Sequence, residues 1–230
     1  VQSPTPPDYP RHEPTRVVVH ISGGGSNLTE LLEATRDPGY GVEVVAVGAD
    51  RHSAGGLEIA ARAGIPTFVE RLSDHPDRES WDRALTAAVA AAEPDLVVSA
   101  GFLKLCGPHF LERFGGRYLN THNSLLPAFA GMNGPRDALE YGVKITGATL
   151  FVVDEGVDTG AIIAQVAVPV RDDDTVDTLT ERIKVAERAQ LVEQVGRLAR
   201  HRWWVEGRRV VVEDRPATPG DGGPQPGRRE

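Results

Sequence analysis

The sequence is poor in cysteine and has no long apolar run. Cys106 is the single cysteine in 230 residues, so an intramolecular disulfide is impossible and nothing indicates an oxidising compartment. No run approaches the ~20 apolar residues of a membrane-spanning helix, and the proline-rich amino terminus lacks the apolar core of a signal peptide. We therefore expect a cytoplasmic protein without a membrane partner.

Positive charge is also scarce. The chain has 25 Lys and Arg against 33 Asp and Glu, which gives a formal net charge of -8. Because nucleic acids are bound largely through clustered Lys and Arg, we expect no nucleic-acid partner, although a local basic pocket for phosphate remains compatible with this balance. A hydrophobic fraction of 40% is enough for one sizeable core.

Short β-branched runs alternate with helix-like segments through the first half of the chain. The runs include RVVVHI at 16–21, VEVVAVGAD at 42–50 and DLVVSA at 95–100. Strands that alternate with helices form βαβ units. We therefore predict an α/β, Rossmann-like fold with a mostly parallel central sheet and helices on both faces. Ligands of such sheets bind outside the carboxyl ends of the strands.

The carboxyl-terminal part predicts one long helix and a final strand pair. Apolar residues recur at intervals of three and four through 175–200, which is typical of an amphipathic helix on a sheet. Residues 203–213 are typical of a closing hairpin or an edge strand. Proline and glycine are frequent at both ends, so we predict disordered tails at 1–15 and 213–230 around one domain at 16–212.

A glycine-rich turn, SGGGSN at 22–27, joins the first predicted strand to the first predicted helix. Free backbone N–H groups and the positive helix end can hold an anion such as phosphate at this kind of turn. A tight turn that needs glycine only for its dihedral angles explains the pattern equally well. The spacing matches neither a P-loop nor the dinucleotide motif G-x-G-x-x-G.

The stretch YLNTHNSLLPAFA, residues 118–130, places Asn120 and His122 two apart on a short strand. Residues two apart on a strand point the same way. An amide can donate to a developing oxyanion and an imidazole can carry a proton near neutral pH, so the pair suits acyl transfer. The alternative is a strand end whose two polar side chains are satisfied by neighbouring loops.

Two loops follow these predicted strands. The segment GFLKLCGPHFL, residues 101–111, is interpreted as a loop, with Cys106 packed at its edge because cysteine is often buried. The segment DEGVDTG, residues 154–160, could be a turn or a poor calcium site. A calcium loop of the EF-hand type needs a longer run of oxygen ligands and a closing Glu, so we expect no metal.

Three segments together resemble the folate-dependent formyltransferases: residues 118–131, the helix-like PRDALEYGVK, and TGATLFVVDEGVDTGAIIAQ. The resemblance runs from about Arg16 to about Val212. It implies the formyltransferase fold and transfer of the formyl group of 10-formyltetrahydrofolate, used as cosubstrate, to the amine of glycinamide ribonucleotide in de novo purine biosynthesis. Transfer to a different amine, hydrolysis of the formyl folate, and a silent folate- or nucleotide-binding module remain alternatives, as do a monomer and a homodimer.

The resemblance also implies the residues of the site. In the scheme, Asn120 and protonated His122 stabilise the oxyanion, and the Asp158 carboxylate favours the charged imidazole. Without the resemblance, Lys184 and Glu187 would be interpreted as a solvated pair on one helix face. The implied assignments are catalytic Asn120, His122 and Asp158; phosphate- and ribose-binding Gly24, Gly25, Ser26, Asn27, Lys184 and Glu187; and folate-binding Leu103, Lys104, Leu105 and Asp154.

Three positions depart from the family pattern. Asn123 stands where a proline usually follows the catalytic histidine, Ala130 replaces the proline of a Pro-Gly pair, and Phe151 stands where a histidine is common. We interpret these positions as flanking the acceptor amine. The trio is intact, so the departures bear on the identity of the acceptor more than on formyl-folate chemistry.

Overall fold

A computed structural model describes residues 12–216, which form a nine-stranded sheet flanked by helices. The strands are β1 Thr15–Ile21, β2 Val42–Ala49, β3 Thr67–Val69, β4 Leu96–Ser99, β5 Tyr118–His122, β6 Ile145–Val152, β7 Ile162–Pro169, β8 His201–Glu206 and β9 Arg209–Pro216. The helices are α1 Ser26–Ala34, α2 Gly56–Arg62, α3 Arg78–Ala90, α4 Pro108–Phe114, α5 Gly134–Tyr141 and α6 Val176–Arg200.

The strand order is β3-β2-β1-β4-β5-β6-β7-β9-β8. Strands β1 to β5 pair in parallel, whereas β6 is antiparallel to both β5 and β7. The chain leaves β1 towards β2 and β3, then returns to place β4 on the other side of β1. This reversal lies between β1 and β4, where ligands of open α/β sheets bind.

Both faces of the sheet carry helices because the residues of β1 alternate between two apolar clusters. Val17 and Val19 pack with α1, α2 and the second half of α6. Val18 packs on the opposite face with α3 and α4, around Trp81 and Phe110. The predicted fold class, a mostly parallel α/β sheet with helices on both faces, is confirmed.

The structure extends or refines several predicted limits. Thr15 belongs to β1 and residues 213–216 belong to β9, so the strands run beyond the predicted domain of 16–212. Backbone pairing in a ladder does not require apolar side chains, which explains why composition understates the strand. Within 101–111, α4 begins at Pro108, because proline is well suited to a first helical position. The remaining residues of the predicted tails, 1–11 and 217–230, lie outside the described residues.

None of the helices within residues 12–216 is both long and apolar enough to cross a membrane. The longest helix, α6, is stabilised by a cap at its amino terminus and by one apolar face. Thr175 caps its amino terminus by accepting a hydrogen bond from the Thr178 backbone N–H at 3.2 Å. Leu179, Ile183 and Leu191 on α6 are fully buried against the sheet.

His20 is a buried histidine in β1 whose ring nitrogens have no hydrogen-bond partner. Its ring packs among aromatic side chains, with ring centroids 4.8 Å from Phe102 and 5.6 Å from Phe110. Burial lowers the pKa of His20 to about 3, because a charged imidazole would lose its hydration there. His20 therefore acts as a neutral core side chain.

We expect this group to make the protein less stable in mild acid. The unfolded chain binds a proton at His20 below its ordinary pKa of about 6.5 and the folded chain does not. Above pH ~6.5, His20 is neutral in both states and does not change the free energy of unfolding. As the pH falls from there towards the folded pKa, protonation of His20 in the unfolded chain progressively lowers the free energy of unfolding. In urea unfolding, His20→Leu should reduce the loss of stability between pH 8 and pH 5 by about 2 kcal/mol, whereas the exposed control His52→Gln should not. An unchanged pH dependence in His20→Leu would refute this role.

Candidate active site

A cavity of about 510 Å³ opens at the carboxyl end of β5. Backbone register brings β4 and β6 beside it, since Asn120 pairs with Ser99 on one side and with Phe151 on the other. The cavity collects most of the residues that the sequence predicts for the site. Those that line it are Asn120, His122, Asp158, Leu103, Lys104, Leu105, Asp154 and Glu187.

His122 and Asp158 form an ion-pair contact at the base of the cavity. His122 Nδ1 lies 3.5 Å from Asp158 Oδ2, and both side chains are largely buried. His122 Nε2 lies 2.9 Å from the carbonyl oxygen of Phe129. Nε2 therefore donates to the Phe129 carbonyl, while Nδ1 faces the Asp158 carboxylate.

Two backbone features hold Asp158 in this position. Its Oδ2 atom accepts a hydrogen bond from the Gly131 N–H at 2.8 Å, which ties the β6–β7 loop to the loop after β5. Its φ of 55° lies in the left-handed region, which asparagine and aspartate tolerate better than most residues. The carboxylate is therefore fixed from both its side chain and its backbone.

The amide of Asn120 projects from the same strand as His122, two residues earlier. Among residues 12–216, no protein group hydrogen-bonds this amide. Its N–H₂ can therefore donate to a ligand oxygen in the cavity, beside the imidazole of His122. This geometry can stabilise an oxyanion next to a proton carrier.

Glu187 joins three elements on the other face of β5. Its Oε1 atom accepts from Asn27 Nδ2 at 2.9 Å and from Thr121 Oγ1 at 3.0 Å, which leaves Oε2 for a ligand. Thr121 lies two residues after Leu119, which packs in the cluster that includes α6. Because alternate residues of a strand point the same way, Thr121 points away from the face of Asn120 and His122. The site consequently wraps over the end of the sheet, with Glu187 on one face and the loop after β4 on the other.

The glycine-rich turn forms the amino-terminal cap of α1. Gly25 has a φ of 81°, and a Cβ added there would lie 2.7 Å from the Cα of Gly56. Only glycine combines this backbone with so close an approach. The N–H groups of the first turn of α1 have no partner within the helix. Residues 24–27 do not line the 510 Å³ cavity. Asn27 connects the turn to it, because Asn27 hydrogen-bonds Glu187, which lines the cavity.

Lys184 is not brought into the cavity. Its Nζ atom lies 2.7 Å from Glu181 Oε1, three residues earlier on α6, and its side chain is 47% exposed. Glu187 lies one turn further along and is half-buried. On the helix face that we expected the two residues to share, Lys184 therefore lies on the solvent side and Glu187 on the cavity side.

The rim of the cavity is apolar and exposed, which sequence reasoning foresaw only in part. Leu103 and Leu105 were expected there, but Met132 and Val157 were missed, and all four are more than half exposed. Thr121 was missed as well. An exposed large apolar side chain in a loop has no periodic signature, so only the fold reveals that these residues border one opening.

Two further predicted residues shape loops at this opening. Asp154 Oδ1 accepts from the Gly156 N–H at 3.1 Å and from Thr159 Oγ1 at 2.6 Å, which folds the β6–β7 loop on itself. Cys106 Sγ lies 3.7 Å from the Tyr118 hydroxyl, and burial raises the pKa of its thiol to about 12. The neutral, buried thiol fits the packing role expected for it.

The three departures occupy different surroundings. Asn123 lines the cavity next to His122. Phe151 is only 2% exposed and belongs to the buried core, and Ala130 is exposed on the loop after β5. Of the three, Asn123 is the one placed to contact a ligand.

Comparisons with known proteins show what this chain is similar to. Residues 15–195 match the family described as Formyl transferase. A phosphoribosylglycinamide formyltransferase of Mycobacterium tuberculosis is 57% identical over 203 residues, which cover 88% of this chain and 94% of that protein. Human trifunctional purine biosynthetic protein adenosine-3 is 44% identical over 75% of this chain and 17% of its own length. Glycinamide ribonucleotide transformylase 1 of Symbiobacterium toebii has a TM-score of 0.84 and 42% identity, covering 87% of this chain and 94% of that one.

Proposed function

Because this chain belongs to the formyl transferase family, we propose that it transfers the formyl group of 10-formyltetrahydrofolate to the amine of glycinamide ribonucleotide, a step of de novo purine biosynthesis. The observation that carries the proposal is the His122–Asp158 contact of 3.5 Å beside the unpartnered amide of Asn120, at the base of the cavity.

The folate would occupy the side of the cavity formed by the loop after β4. Leu103 and Leu105 offer apolar surface to a flat heteroaromatic ring, and the β6–β7 loop with Asp154 closes the opposite wall. Lys104 lies at the same wall and could meet a carboxylate of the folate. The formyl group would then lie between Asn120 and His122.

The ribonucleotide would occupy the side of the cavity towards α1. The free N–H groups of residues 24–27 suit its phosphate, since they combine unpaired donors with the positive end of a helix. Glu187, held by Asn27 and Thr121, would accept from ribose hydroxyls through Oε2. Lys184 would join this site only by leaving Glu181.

The reaction forms one C–N bond and breaks another. The acceptor amine attacks the formyl carbon, and the resulting oxyanion accepts hydrogen bonds from the Asn120 amide and from His122. The intermediate collapses with loss of tetrahydrofolate, as one amine proton moves to the departing nitrogen, by way of a water held by the trio. Asp158 keeps the imidazole oriented through these steps.

Asn123 favours a second candidate in which the same chemistry serves another acceptor. Asn123 lines the cavity and follows His122 directly in the chain. An amide there could orient a different amine, or a water for hydrolysis of the formyl folate.

Product formation from 10-formyltetrahydrofolate, followed by absorbance with and without glycinamide ribonucleotide, distinguishes these possibilities. The proposal requires tetrahydrofolate release that depends on the ribonucleotide, with one formylated product per folate. Release at the same rate without it would instead identify a hydrolase. Folate binding without turnover under either condition would contradict the proposal and leave a different acceptor amine or a binding module.

A further inference from the structure

Asp50 is a buried carboxylate that neither the trio nor the cavity lining includes. It follows β2 directly, and its side chain is 1% exposed. Ala49 pairs with Ile21 in the parallel ladder, so Asp50 lies beside Ser22, the first residue of the glycine-rich turn. A buried carboxylate is costly unless it is paired, so its partners define its role.

Three side chains satisfy Asp50. Arg51 donates to both carboxylate oxygens, each at 2.8 Å, and the Lys104 ammonium lies 4.0 Å from Oδ2. Ser22 lies beside the carboxylate, and its hydroxyl helps to lower the pKa of Asp50. Burial alone raises the pKa of Asp50, but the hydrogen bonds and charges of these partners outweigh it and hold the pKa below its ordinary value. The partners thus stabilise the carboxylate form of Asp50.

Ser22 connects Asp50 to the loop after β4. Its Oγ atom accepts a hydrogen bond from the Leu103 backbone N–H at 2.9 Å, so its own proton is available for Asp50. A hydroxyl that donates to a carboxylate is a stronger acceptor, because hydrogen bonds in a chain polarise one another. Asp50 therefore holds Leu103 through Ser22 and Lys104 through charge.

We propose that Asp50 is a positioning residue that fixes the folate loop, defined as residues 101–106, against Ser22 and so sets the affinity of the folate side of the cavity. The proposal rests on the proposed function, since it takes that loop as the folate site. Asp50 itself touches no ligand in this account. Its effect reaches the folate through the backbone of Leu103 and the side chain of Lys104.

Asp50→Asn tests the proposal with nearly unchanged shape. We expect about tenfold weaker binding of tetrahydrofolate and a similar rise in KM for the formyl folate, with kcat within about threefold at saturation, because one charged hydrogen-bond chain is lost outside the reacting atoms. Asp74→Asn is the matched control, because Asp74 also pairs with an arginine, Arg71, but lies exposed and away from the loop. It should leave binding and turnover unchanged.

Ser22→Ala gives an independent test that leaves the ion pairs of Asp50 intact. It should weaken tetrahydrofolate binding less than Asp50→Asn does, because the charge that holds Lys104 remains, and the double variant should be little worse than Asp50→Asn alone, since the Ser22 link is already lost there. Additive losses, or a lower melting temperature and kcat with unchanged folate affinity, would overturn the proposal. If wild-type protein does not bind tetrahydrofolate at all, the proposed function fails instead.

Discussion

Asp158→Asn should lower kcat by roughly a hundredfold or more while folate affinity changes little, since that is the usual size of a lost electrostatic or acid–base contribution. The substitution removes the charge that faces His122 Nδ1 at 3.5 Å. It retains the side-chain shape and an oxygen for the Gly131 N–H. Asparagine also tolerates the left-handed backbone that Asp158 adopts, so little conformational strain is added.

Steady-state kcat and a separate tetrahydrofolate titration measure the two quantities. Asp172→Asn is the control, because its carboxylate is 94% exposed and contacts only Lys144 at the far end of β6. It should behave as wild type in both measurements. Retention of most of the wild-type kcat in Asp158→Asn would remove Asp158 from the trio and leave His122 to be oriented by the Phe129 carbonyl alone.

The sequence predicted the features that depend on local pattern. The first half of the sheet follows from alternating apolar runs, because a buried parallel strand must be apolar along its length. The shared direction of Asn120 and His122 follows from the two-residue period of a strand. In both cases neighbours in sequence carry the information.

The features that sequence reasoning missed depend on long-range contacts. Thr121 and Glu187 are 66 positions apart in the sequence, and Ser22 and Leu103 are 81 positions apart. No local sequence pattern therefore predicts either contact. Lys184 shows how far a local pattern reaches. Residues three apart on a helix share a broad face, but the edge of that face is exposed to solvent. Lys184 lies at this edge and pairs with Glu181.

The nucleotide side of the site makes the second large prediction. We expect kcat/KM for glycinamide ribonucleotide to exceed that for the unphosphorylated glycinamide riboside by at least roughly a hundredfold, because a hydrogen bond to a charged group contributes ~1.5–3 kcal/mol and the first turn of α1 presents several N–H donors to the phosphate. Asn27 and Glu187 would still bind the ribose of both compounds, so the difference isolates the phosphate. Direct comparison of the two acceptors at fixed formyl folate measures it.

Gly25→Ala should reduce this discrimination, because its Cβ would press on the Cα of Gly56 at 2.7 Å and displace the turn that presents the N–H groups. Gly64→Ala is the matched control: Gly64 also has a positive φ, of 71°, but a Cβ there meets nothing within 4 Å. Both variants carry the backbone strain of alanine in the left-handed region, so both melting temperatures should fall, and that of Gly25→Ala should fall further because of its added contact with Gly56. Only Gly25→Ala should bring the two acceptors closer in kcat/KM. If wild-type protein already uses both equally, the turn does not bind phosphate, and the amide of Asn123 becomes the leading determinant of a different acceptor.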